Sequence, residues 1–210
     1  MEYLVTMTTR VPGGTPADEV DHLRGREAAQ TRQPAARGRV LRLWRPPPEP
    51  GEWRSIGLFA ADDSDGLERT LASMPLRVWR TDEVTALGPH PDDPGRGRIP
   101  LSESSQEFLV TLVVEVPYGT SGETLEEMTT RDDDRAGDPA AQSHLVRLWR
   151  LPGEGRNLGL WHAAGAGQMR DVLRSLPLAD WLTVETVPLT RHPGDPASVP
   201  GSGVSSGSTA

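Results

Sequence analysis

The chain has 210 residues, a net charge of −8, no cysteine, and 22 basic residues, all of them arginine. Disulfides, thiol nucleophiles and cysteine-bound metals are therefore excluded, and the lack of lysine excludes Schiff-base chemistry. An acidic chain without a basic block is poorly matched to nucleic acid.

The first ten residues, MEYLVTMTTR, carry no basic segment followed by a long apolar stretch, so no signal peptide is expected. The longest apolar run, 108–116, is interrupted by Thr111 and Glu115. It falls well short of the ~20 residues that a membrane span needs. A soluble, cytoplasmic protein without membrane contact is the expectation.

In chain order, residues 2–9 are short, Val/Thr-rich and strand-like. Residues 15–36 read as a helix, with Thr15 as N-cap, Pro16 in the first turn, and Asp18 and Glu19 at the positive end of the dipole. Residues 39–46 read as a strand, a Pro-rich turn follows, and residues 53–60 read as another strand. Residues 64–74 suggest a second helix: Ser64 or Asp65 can cap it, Leu67 and Leu71 share a face, and Pro75 stops it. Residues 80–88 complete a βαββαβ pattern, the ferredoxin-like order.

The pattern then returns. Glu2-Tyr-Leu-Val-Thr-Met7 matches Glu107-Phe-Leu-Val-Thr-Leu112, and Leu41-Arg-Leu-Trp-Arg45 matches Val146-Arg-Leu-Trp-Arg150, both at an offset of 105. Ser73-Met-Pro-Leu76 matches Ser175-Leu-Pro-Leu178, and His90-Pro91 matches His192-Pro193, at an offset of 102. The three lost residues fall in the Pro-rich turn, where a hairpin tolerates length change. Two ferredoxin-like repeats are expected, over 1–91 and 106–193, with a linker at 92–105 and a disordered tail at 194–210. In the second repeat, Gly137 and Pro139 are expected to end the first helix early. A four-stranded sheet with helices on one face leaves the other face open. Packing the two open faces together gives an α+β pseudo-dimer of the dimeric α+β-barrel type within one chain.

Val20, Leu23 and Glu27 share one face of the first helix, as Leu125, Met128 and Asp132 do in the second repeat. A carboxylate that continues an apolar stripe can serve as a general base, or can simply end the stripe in water. Arg42 and Trp44 share one face of a strand, as do Arg147 and Trp149. Such an arginine can hold a substrate acid or an oxyanion, or can pack over its tryptophan at a sheet edge. Ser55 and Asn157 are further polar candidates for substrate binding. The five histidines lack metal-site spacing, and His90 and His192 sit in matched His-Pro turns. There is no phosphate loop, dinucleotide fingerprint or nucleophile elbow, so neither a cofactor nor a metal is expected.

The ordered set of Val-Pro after the first strand, Pro-Ala-Asp-Glu at 16–19, Leu-x-Leu-Trp-Arg at 41–45, Pro-Leu after the second helix and the closing His-Pro resembles the muconolactone Δ-isomerase family. The resemblance spans both repeats. It implies a cofactor-independent proton transfer that shifts a double bond in a small unsaturated lactone or enolisable carbonyl compound. Glu27 occupies the family's helix-one glutamate position, Asp132 is its shorter counterpart, and Asn157 matches a family asparagine where the first repeat has Ser55. The family's lysine position is Arg24 here and Thr129 in the second repeat, and its strand histidine is replaced by Arg42 and Arg147. Family members assemble as dimers and rings, so further homo-oligomerisation of the pseudo-dimer is compatible with the resemblance. The alternatives are a non-catalytic ligand-binding or assembly protein on the same barrel, and a biosynthetic cyclase or cofactor-free oxygenase.

Overall fold

A computed structural model describes residues 1–48, 53–95, 105–116, 119–120, 143–176 and 179–198. Its elements are β1 (Glu2–Thr9), α1 (Ala17–Ala36), β2 (Val40–Arg45), β3 (Trp53–Ala60), α2 (Ser64–Ala72), β4 (Arg80–Pro89), β5 (Gln106–Val114), β6 (Leu145–Arg150), β7 (Arg156–Ala163), α3 (Ala166–Arg174) and β8 (Leu182–Arg191). The fold is mixed α+β, with eight antiparallel strands closed in the order β1-β3-β2-β8-β5-β7-β6-β4.

β1 lies between β3 and β4, with β2 outside β3; β5 lies between β7 and β8, with β6 outside β7. Two short seams close the barrel. Trp44 and Arg45 pair with Arg191 and Thr190, and Gly88 and Pro89 pair with Arg150 and Trp149.

Strict alternation along β1 buries Tyr3, Val5, Met7 and Thr9 on its helix side. Tyr3, Val5 and Met7 form an outer core with Phe59, Leu67 and Leu71, and the second half repeats this with Phe108, Val110, Trp161 and Met169. A third core fills the barrel interior from both halves, with Trp44, Trp149, Leu58, Leu87, Leu109, Leu160 and Leu189 among its members. Each such side chain, fully buried, contributes about 1.5–3 kcal/mol, so the interior is the main apolar bond between the halves.

A register shift in β2 between Val40 and Arg42, and its counterpart in β6 between Leu145 and Arg147, decides which side chains enter that interior. The extra residue places Val40 and Leu43 in the outer core while Trp44 faces the barrel. Leu145, Leu148 and Trp149 divide in the same way. Gly57 and Gly159 leave space for the ring two residues ahead: a Cβ at either position would collide with Phe59 or Trp161.

Several expectations require correction. Pro16, not Thr15, occupies the N-cap position of α1; Thr15 instead donates its hydroxyl to the Pro12 carbonyl at 2.7 Å. α2 is capped by Asp63, which accepts from the Gly66 N–H at 2.7 Å, rather than by Ser64 or Asp65. The expected linker and tail begin too early, because Asp93 and Asp195 are tied into the fold by arginines across the seams. Residues 196–198 add a short 3-10 turn. The first helix expected in the second half, with Asp132, lies outside the described residues.

Candidate active site

On the helix side of the first sheet, cross-strand register places Trp53, Thr9 and Arg80 in one row and Ser55, Met7 and Asp82 in the next. α1 crosses the end of these rows. Its Arg24 guanidinium lies 3.7 Å from the centre of the Trp53 ring, and its Glu27 reaches the other side, toward β4. Leu23 and Glu27 are half-buried and Thr31 is buried, so the stripe read from the sequence faces the protein.

Both oxygens of Glu27 are held. Oε2 accepts the Leu76 N–H at 2.8 Å, and Oε1 accepts from Arg80 Nη1 at 3.1 Å. Arg80 is itself almost fully buried. Its Nε and Nη2 donate to Asp82 at 2.6 and 3.1 Å, and Nη2 also approaches the Leu71 carbonyl at 3.4 Å. Asp82 accepts a further 2.6 Å bond from Arg77, which also binds Glu68. The row of charges thus runs Glu27–Arg80–Asp82–Arg77–Glu68. Each carboxylate oxygen of Glu27 keeps a second lone pair, so its bonds fix its position without using up its capacity to accept a proton.

The tryptophans and arginines of β2 and β6 do something else. Arg42 binds Glu107 with two parallel bonds of 2.8 and 2.7 Å, and its Nε and Nη2 bind Asp195 at 3.1–3.2 Å. Trp44 Nε1 donates to Glu107 at 2.9 Å, and the Leu43 N–H donates to Asp195. On the opposite seam Arg147 binds Glu2 at 2.8 Å and Asp93 at 3.0 Å, Trp149 Nε1 donates to Glu2 at 2.6 Å, and the Leu148 N–H donates to Asp93. In each case the arginine comes from one half and both carboxylates come from the other. Burial favours the neutral guanidine, but the facing carboxylates outweigh it and raise the pKa of both arginines. Burial likewise pushes Asp93 up, yet Arg147 and the N–H groups of Leu148 and Gly95 hold it below the usual carboxylate range.

The candidate residues therefore separate onto two faces. Glu27 and Ser55 lie on the helix side of the first sheet, and Asn157, opposite Leu112 on β7, lies on the helix side of the second. Arg42, Trp44, Arg147 and Trp149 face the barrel, and the expected roles of Arg42 and Arg147 as substrate anchors need correction: their donors are engaged by seam carboxylates. Trp44 and Trp149 are packed among leucines rather than lining an open pocket. Arg80, Asp82, Glu2, Glu107, Asp93 and Asp195 were missed in the sequence. The last four leave a signal there, since 2/107, 42/147 and 93/195 recur at the repeat offsets.

Burial and nearby Arg45 lower the pKa of His192 against the pull of Asp195, and its Nδ1 accepts the Gly194 N–H at 3.0 Å. A surface hollow of about 360 Å³ lies at the far end of β1 and β3 from Glu27, between Met1, Arg39, Ala60 and Asp62. No group of three or more potential metal ligands occurs among the described residues. No described helix is long and apolar enough to cross a membrane.

The family model for muconolactone delta-isomerase matches residues 1–93 and again 106–195. The muconolactone delta-isomerase of Cupriavidus pinatubonensis is 32% identical over 91 residues, 43% of this chain and 96% of that protein. That of Rhodococcus opacus is 23% identical over 88 residues, 42% of this chain and 95% of that protein. In overall shape the chain is similar to a chlorite dismutase from Candidatus Nitrospira defluvii, with a TM-score of 0.56 and 8% identity, covering 90% of this chain and 91% of that one. At that identity the likeness concerns the fold alone. Because the family model matches nearly the whole chain, once in each half, this protein belongs to the muconolactone delta-isomerase family.

Proposed function

We propose that this chain is a cofactor-independent isomerase that shifts a double bond by proton transfer in a small unsaturated lactone or enolisable carbonyl compound. The supporting observation is the seat of Glu27: a half-buried carboxylate at the family's glutamate position, fixed by the Leu76 N–H and Arg80. In this reading Glu27 takes a proton γ to the lactone carbonyl and the electron pair moves through the double bond to the carbonyl oxygen. The resulting dienolate is then reprotonated at the α carbon by the same carboxyl group, so that no electrons are gained or lost. Arg24, at the family's lysine position and half-exposed on Trp53, supplies positive charge toward the developing oxyanion. Ser55 offers a hydroxyl to the substrate on the same side of the sheet. The two halves serve as a fused pair, an intramolecular pseudo-dimer of ferredoxin-like repeats, with Asp132 as the second candidate base and Asn157 as a further substrate-binding candidate.

The filled barrel interior favours a second reading for part of the molecule. With Trp44, Trp149 and leucines occupying the space between the sheets, the interior acts as scaffold and not as a ligand chamber. A wholly non-catalytic assembly protein is the extreme form of that reading.

Proton–deuterium exchange in D₂O, followed by NMR on a panel of butenolides and enolisable lactones, separates the two. Exchange by the wild type and by Asp132→Asn, but lost in Glu27→Gln, is the expected outcome. A folded wild type that exchanges none of the panel would overturn the isomerase reading for those compounds.

A further inference from the structure

The duplication makes the two halves comparable position by position. β1 and β5 match at an offset of 105, and β4 and β8 at 102. The registers agree with this: Thr9 pairs with Arg80 as Val114 pairs with Leu182, and Met7 pairs with Asp82 as Leu112 pairs with Val184. The buried ion pair that supports Glu27 in the first half is thus replaced by two apolar residues in the second. The barrel seams kept their arginines and carboxylates in both halves. The Arg80–Asp82 pair, by contrast, is present on β4 and absent from the matching positions of β8.

We propose that Arg80, oriented by Asp82, is the positioning residue for Glu27, and that this pair restricts the working carboxylate to the first half of the chain. This rests on the reading of Glu27 as the base. Arg80 does not touch substrate: its side chain is 2% exposed. It acts through Glu27, whose Oε1 it holds at 3.1 Å while the Leu76 N–H holds Oε2. Two donors on two oxygens fix both the plane and the depth of the carboxylate, leaving the outward lone pairs for the proton. Asp82 is needed because an arginine so deeply buried requires a counter-charge, and its bonds to Nε and Nη2 set the direction of the remaining Nη1. Asp82 is held in turn by Arg77. A single salt bridge at a surface would be worth little. Here the Arg80 and Asp82 side chains are buried and the geometry is determined from both sides.

The pair at 182 and 184 supplies a variant that this strand position already tolerates. Arg80→Leu with Asp82→Val removes the two buried charges together; half-buried Glu27 then keeps only the Leu76 N–H and Arg77 keeps Glu68, whereas Arg80→Lys keeps the charge without the fork. Two readouts apply. The first needs no substrate: the ¹H–¹⁵N resonance and hydrogen exchange of the Leu76 amide, which report its bond to Glu27. In the double variant these are expected to move toward the values seen in Glu27→Ala, which lacks the acceptor, with the spectrum of β3 and of residues 2–5 of β1 unchanged. The second is proton exchange kinetics: kcat is expected to fall about 100-fold with KM within about twofold, with partial recovery in Arg80→Lys. Guanidinium added to Arg80→Ala is also expected to restore rate.

A Leu76 amide that stays at its wild-type position in the double variant would overturn the proposal. So would full kcat in that variant when Glu27→Gln is inactive. If the wild type shows no exchange on any compound but the Leu76 amide follows Arg80, the positioning holds and the isomerase reading falls.

Discussion

Arg42 offers the largest test of how the two halves are held together. Arg42→Met takes the shared guanidinium from two carboxylates, Glu107 and Asp195, whose side chains are 6% and 0% exposed, and leaves Asp195 only the 3.8 Å approach of Arg191. Removing one member of a buried ion pair costs about 3–5 kcal/mol, and because two buried acids lose the same guanidinium the upper part of that range applies, about 4–5 kcal/mol. For a chain of this size that corresponds to about 8–20 °C in Tm. Arg147→Met is expected to cost less, about 2–3 kcal/mol, because Glu2 and Asp93 are 11% and 16% exposed and water can reach them. Urea unfolding followed by tryptophan fluorescence and far-ultraviolet circular dichroism measures both, since Trp44 and Trp149 each donate into one cluster. The triple variant Arg42→Met, Glu107→Gln, Asp195→Asn should recover much of the loss, because no buried charge is then unpaired. A loss below about 1 kcal/mol for Arg42→Met, or equal losses at the two seams, would refute the assignment of these clusters as the polar bond between the halves.

Two further outcomes are expected. Asp93 is more acidic folded than unfolded, so its contribution is complete above its ordinary value of 3.8 and is lost as pH falls through the lower folded value; Asp93→Asn should lower stability at pH 7 and flatten the acid limb of a stability–pH curve, and an unchanged limb would contradict this. Gly57→Ala forces a methyl group into the buried Phe59 ring and should lower stability by about 1–3 kcal/mol in a thermal melt, with Gly159→Ala behaving alike against Trp161; neutral substitutions would show that the rings yield.

The site was only partly legible beforehand. Glu27 could be placed because helical periodicity fixes which residues share a face, and α1 obeys it. Arg80 and Asp82 could not, since they approach Glu27 from a strand some fifty residues away and nothing in the local pattern marks them. Arg42 and Trp44 were correctly paired on one face, but whether that face met substrate or the other half was a question of what lay opposite.

By itself the sequence determined the repeat, the order and near-boundaries of the strands and helices of the first half, and the family, because these follow from local periodicity, turn chemistry and matched spacing. Only the tertiary structure decided that Glu107 and Asp195 meet Arg42, that Glu2 and Asp93 meet Arg147, and that an arginine on β4 holds the carboxylate of α1. Those partners are distant in sequence and are brought together by barrel closure and by the register shifts that turn the arginines of β2 and β6 inward. Once inside, a guanidinium must find carboxylates, because burial without them costs more than the fold can bear.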